Sequence, residues 1–187
     1  VNATDGRRVL VAGIGNVFLG DDGFGVEVVN RIDRAALPER VDVADYGIRG
    51  IHLAYDLLEG RHHTLIMVDA VPLEGPPGTL AVLEADPDDG PGLPAMDGHG
   101  MNPQAVLHLL HTLGGRVDRV LIVGCRPADV TERMGLTGRV AAAVPRAVRL
   151  VTELAADAAR QTGLPHAAPA QSHQAEGSPT EAEYASA

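Results

Sequence analysis

Gly13-Ile14-Gly15-Asn16-Val17-Phe18-Leu19-Gly20-Asp21-Asp22-Gly23-Phe24-Gly25 is the stretch on which the reading of this chain turns. It follows an apolar run of strand type, Arg8-Val9-Leu10-Val11-Ala12, and precedes a segment with helical periodicity. That order makes it the first strand-to-helix turn of an α/β sheet. Its glycines supply the backbone freedom that a crowded turn needs. Open α/β folds place their sites at the carboxyl edge of the sheet, so the Asp21-Asp22 pair is expected there. One aspartate has an ordinary explanation as a helix N-cap, but two in a row at this edge point to a metal or acid/base role. A dinucleotide fingerprint fits poorly. Phe18 stands where the third glycine is needed, and paired carboxylates near a helix start would repel a pyrophosphate.

Working outward, residues 25–36 carry Val28, Val29 and Ile32 on one side and read as an amphipathic helix. Residues 41–46 alternate as a second strand, and 51–59 form a short helix ending at Gly60. The run 64–69 is almost continuously apolar and ends in Asp69, as expected of a buried parallel strand whose last residue reaches the site. Residues 78–84 form another strand, joined by a Pro/Gly loop too short for a crossover helix, and therefore antiparallel at an edge. A long loop rich in Asp, Gly and Pro delivers Asp97-Gly98-His99-Gly100 before a helix over 103–113. A central strand at 119–125 and a last helix at 138–160 complete the pattern. Pro145 within that helix predicts a kink or a later start. The alternation predicts a three-layer α/β fold: a mostly parallel twisted sheet of about five strands with helices on both faces. One domain is expected over residues 1–161, and a disordered tail over 162–187, where Ala, Pro, Ser and Gln dominate.

Composition narrows the function. A net charge of −10 argues against nonspecific nucleic-acid binding, and all 15 basic residues are arginine, which removes phosphate-loop and Schiff-base lysines. The lone cysteine, Cys125, excludes an internal disulfide and reads as a small buried hydrophobe. No run approaches the ~20 apolar residues of a membrane span, and the first residues lack a signal peptide's apolar core. A cytoplasmic protein without membrane attachment is expected.

Asp22, Asp69 and His99 all fall at the same sheet edge by this strand order. Two carboxylates and an imidazole suit zinc, nickel, manganese or iron. Each also has a plainer reading: Asp22 and Asp69 as caps, His99 as an exposed loop residue between two glycines. His108 and His111 share a helix face, His62-His63 are expected exposed in a turn, and His166 and His173 lie in the tail.

The GxGN-x4-DDGxG pattern resembles the N-terminal signature of the nickel-iron hydrogenase maturation proteases, endopeptidases that trim a C-terminal extension from a hydrogenase large subunit. The likeness extends over residues 8–154, through Val68-Asp69-Ala70 and a histidine just before a helix. It implies that Asp22, Asp69 and His99 meet as metal ligands, with Asp22 and Asp69 also the catalytic candidates, in an aspartic-type or a metal-assisted hydrolysis. It implies that nickel is carried by the substrate, the large-subunit precursor, and that no nucleotide or organic cofactor takes part. Asp22 departs from the glutamate often found there, which shortens the ligand by one methylene. Asp45-Tyr46-Gly47-Ile48-Arg49 resembles a family segment beside the cleft, making Asp45, Gly47 and Arg49 substrate-binding candidates. Arg49 either holds a carboxylate of the substrate or pairs with Asp45. A nickel-binding assembly factor that docks without cutting would use the same three ligands.

Overall fold

The computed structural model describes residues 7–85 and 103–161. The elements are β1 (Arg8–Ile14), α1 (Phe24–Asn30), β2 (Val41–Gly47), α2 (Gly50–Leu58), β3 (His62–Ala70), β4 (Leu80–Ala85), α3 (Pro103–Thr112), β5 (Arg119–Cys125) and α4 (Gly138–Gln161). They build one five-stranded sheet in the order β2-β1-β3-β5-β4. The first four strands in that order run parallel, and β4 is antiparallel to β5 at the edge, as the short loop before it requires.

Strand alternation sends Val9 and Val11 to one face, where α1 and α4 cover them, and Leu10 and Ala12 to the other, beneath α2 and α3. The three-layer expectation is met. β1 and β3 are buried on both faces, which is why their sequences read as unbroken apolar runs rather than alternating ones. Among the described residues, no helix is long and apolar enough to cross a membrane.

Two local expectations are corrected, and one alternative, a later start of the last helix, is closed. Helix α1 stops at Asn30, and Arg34–Ala36 forms a separate 3-10 turn. Asp33 accepts from the Ala35 N–H at 3.0 Å, a local bond that competes with continuing the helix. Helix α4 starts at Gly138 and runs through Pro145 without a late start. Its buried stripe of Val140, Val144, Ala147, Val151, Ala155 and Ala158 holds it to the sheet across the missing N–H. His62 is not exposed in a turn; it opens β3 at 5% exposure. Its Nε2 lies 2.9 Å from Asp42 on β2, and the Arg8 guanidinium of β1 grips the same carboxylate with two bonds of 2.6 Å. Arg8 holds the Asp42 carboxyl down to about 2, against the effect of burial and with help from His62. The amino ends of three strands are thus joined around one carboxylate. His108 and His111 are exposed.

The placement of α1 depends on two glycines. A methyl at Gly25 would fall 2.0 Å from the Val68 carbonyl oxygen and 2.4 Å from that of Ile14, while one at Gly13 would fall 2.7 Å from the Gly25 oxygen. The helix therefore rests directly on the carboxyl ends of β1 and β3. At Gly25 neither obstacle is a side chain that can swing aside, whereas at Gly13 the nearest atom is the Val29 Cγ2 methyl at 2.4 Å. Gly25→Ala is expected to destabilise the fold by roughly 3 kcal/mol or more, read as a lower denaturant midpoint at unchanged slope.

Candidate active site

The chain passes from β1 outward to β2 and then returns to β3 on the other side of β1, so the order of the sheet reverses between β1 and β3. Crevices in open α/β sheets form at the carboxyl ends of strands at such a reversal. Asp22 follows β1 and Asp69 is the penultimate residue of β3, so both belong to this place.

Gly15 lies between them. Its φ is +124°, and a methyl there would fall 1.8 Å from the Asp22 backbone oxygen and 3.7 Å from Asp69 Oδ1. No residue with a side chain fits. The Gly15 N–H donates to the Gly47 carbonyl at 3.1 Å, which ties this loop to the end of β2. The Asn16 N–H donates to Asp22 Oδ2 at 2.6 Å, and Asn16 Oδ1 accepts from the Phe18 N–H at 3.0 Å. One Asp22 oxygen is thereby fixed by the turn itself.

Asp69 is 6% exposed and accepts from the Ala70 N–H at 2.8 Å. Burial first, and the neighbouring Asp22 carboxylate second, push its carboxyl well above the usual range, against that single bond. Burial also raises Asp22, opposed by the Asn16 N–H. The two are therefore a coupled pair of acids, with Asp69 the deeper member and the one that keeps its proton longer.

Asp21 does something else entirely. Fully buried, its carboxylate accepts from the N–H groups of Ala128 at 2.8 Å, Asp129 at 3.0 Å and Thr137 at 2.6 Å, and from the Thr137 hydroxyl at 2.9 Å. Burial alone would raise its carboxyl, but these four donors outweigh it and the net direction is down. Neither aspartate caps a helix: Leu19 and Gly23 occupy the cap positions, without a side-chain bond. The cap expectation fails because both carboxylates are engaged elsewhere. Nothing local in the sequence marks this anchor, since its partners lie 107 to 116 positions away.

Arg49 is exposed, and it does not pair with the Asp45 carboxylate. Its guanidinium donates to the backbone carbonyls of Asp45 at 2.7 Å and Tyr46 at 3.2 Å. The left-handed turn at Gly47, φ +52°, brings the chain back so that these carbonyls come within reach. The Asp45 carboxylate accepts instead from Asn30 Nδ2 at 3.4 Å. Burial, with the Asp21 charge second, pushes the Cys125 thiol up to about 11, which suits the inert role expected of it. His99 lies outside the described residues. Among the described residues, no three His, Cys, Asp or Glu side chains are grouped closely enough to hold a metal.

A mostly parallel α/β sheet carries two acids at its reversal point, Asp69 buried and Asp22 half-buried, and comparison with known proteins gives the family. The family model described as hydrogenase maturation protease matches residues 26–154. The chain belongs to the hydrogenase maturation protease family, and so to the hydrolases. It is 31% identical over 146 residues to the hydrogenase 2 maturation protease of Escherichia coli, covering 77% of this chain and 88% of that one. Among solved structures it is similar to the hydrogenase maturating endopeptidase HybD from E. coli, with TM-score 0.63, 29% identity, and 83% and 94% of the two chains covered. It is also similar to a hydrogenase 2 maturation peptidase from a Thaumarchaeota archaeon, with TM-score 0.60, 36% identity, and 79% and 97% covered.

Two predictions separate the acids. Asp21→Asn turns one acceptor oxygen into a donor facing buried donors, and is expected to cost about 2–4 kcal/mol in a urea melt at pH 7. Because the folded carboxyl lies below its unfolded value of about 3.9, that difference is complete above the unfolded value and shrinks as pH falls through the folded one. Asp69→Asn has the opposite sign. It keeps the acceptor for Ala70 and removes a carboxyl that is raised by folding, so it is expected to stabilise the fold at pH 7. That gain disappears below about pH 3.9, where the carboxyl is protonated whether folded or not.

Proposed function

We propose that this chain is the endopeptidase that removes the C-terminal extension of a nickel-loaded nickel-iron hydrogenase large-subunit precursor, with the nickel in the precursor serving as the recognition element. The observation that carries the reading is the Asp22–Asp69 pair, held on either side of Gly15 at the sheet's reversal point, in a chain of this family. The precursor is the macromolecular partner, and a cytoplasmic setting goes with this reading.

In this reading Asp22, Asp69 and His99 engage nickel that the precursor brings. Carboxylate and imidazole donors are chemically suited to that ion. A donor set that gains binding free energy only when the substrate supplies the metal makes cleavage wait for nickel insertion. Asp22 is the shallower acid, and the Asn16 N–H occupies only one of its oxygens, leaving the other to face both the nickel and the attacking water. As the water oxygen bonds to the scissile carbonyl carbon, Asp22 takes its proton. The proton then passes to the amide nitrogen as the C–N bond breaks, leaving a new carboxylate and a free amine. This is an aspartic-type hydrolysis. Arg49, exposed and held by two backbone carbonyls, retains further N–H donors for a carboxylate of the peptide, with Asp45 and Gly47 completing that wall.

The test is the intact mass of a co-expressed cognate precursor, with and without nickel. Loss of a C-terminal peptide is expected only with nickel and the unmodified chain. Asp22→Ala, Asp69→Ala and His99→Ala are each expected to reduce the rate by about 100-fold or more. Unchanged mass with nickel-loaded precursor would contradict the protease reading and leave a factor that binds the subunit without cutting it.

A further inference from the structure

The turn that presents Asp22 also presents a large apolar side chain to solvent. Phe18 is 65% exposed, and Met134, on the loop between β5 and α4, is 67% exposed. Single exposed apolar residues are ordinary, but these two stand on one hydrogen-bonded platform. Leu19 bridges Arg133; the Arg133 N–H donates to the Phe18 carbonyl at 3.0 Å and the Gly20 N–H to the Arg133 carbonyl at 2.9 Å. Asp21 fastens the same two loops through its four bonds, and Val130, 40% exposed, belongs to the loop so fastened. The surface is held ready before any partner arrives, which lowers the ordering cost of contact.

The occupant follows from charge, size and position. A second copy carries the same net charge of −10 and is repelled. Three side chains also fall far short of the roughly 800 Å² per partner that a stable interface buries. A patch of this size suits a transient contact with a molecule already engaged nearby, and the Asp22 site is part of the same turn. We propose that Phe18, Val130 and Met134 form a docking surface for an apolar patch on the folded body of the large-subunit precursor, whose C-terminal segment enters beside Asp22. This rests on the protease reading above. The two contacts act as linked sites, so weak docking on this surface raises the effective concentration of the cleavable segment at the acid pair.

The experiment uses the full chain and nickel-loaded precursor, comparing the double variant Phe18→Ser/Met134→Ser with the unmodified chain. The control is Leu113→Ser, 42% exposed beyond the end of α3, on the approach to the amino end of β5. Cleavage is followed by intact mass, and the Kd for the precursor is measured directly. The double variant is expected to raise KM and Kd about tenfold or more with kcat within about twofold, while the control leaves both constants unchanged. Equal KM and Kd for the double variant overturn the proposal, as does a fall in kcat alone. A change in self-association by sedimentation, without a change in Kd, also overturns it and assigns the surface to a second copy. If the unmodified chain leaves the precursor uncut, the protease reading fails, and the Kd comparison still decides the docking surface.

Discussion

A carboxylate buried without water must be met by donors, and Asp21 is met by four, all from residues 128–137. This interaction fixes the rest of the site. It joins the turn after β1 to the loop after β5 and to the start of α4, elements far apart in sequence. With Asp21 so held, the next residue is carried to the crevice and Phe18 to the outer rim. The two adjacent acids thus have opposite electrostatic characters: Asp21 is stabilised as an anion, whereas Asp22 and Asp69 are placed where charge is costly.

The second constraint is steric. Gly13 and Gly25 allow α1 to rest on the ends of β1 and β3, and Gly15 allows the Asp22 backbone and the Asp69 carboxylate to approach across it. A fold built this tightly at its reversal point leaves little room for the acid pair to drift apart.

Much of this was legible in the sequence. Strands buried on both faces are apolar throughout, so β1, β3 and β5 are visible by eye, and the short loop before β4 dictates its antiparallel course. What was not legible depended on distant partners. The anchoring role of Asp21 requires knowing that residues 128–137 come to it, whereas the local reading offered a cap for one of the two aspartates and a metal or acid/base role for the pair. His62 looked like a turn residue because its partner, Asp42, lies on a different strand. Arg49 suggested a charge pair because a sequence displays side chains, whereas its acceptors are carbonyls gathered by the turn at Gly47. Asp22 and Asp69 were placed at one sheet edge by the strand order and joined as a site through family resemblance; the structure sets them on either side of Gly15. His99 remains an expectation of the resemblance, outside the described residues.

The most direct test of the division among the three acids is a carbon-13 NMR titration of the Asp21, Asp22 and Asp69 carboxyls, in the unmodified chain and in Asp22→Asn. Asp21 is expected to titrate below the ordinary range and Asp69 well above it, with Asp69 moving down when the Asp22 charge is removed. An Asp69 that titrates in the ordinary range of about 3.9 and does not respond to Asp22→Asn would contradict the coupled pair on which this account of the site rests.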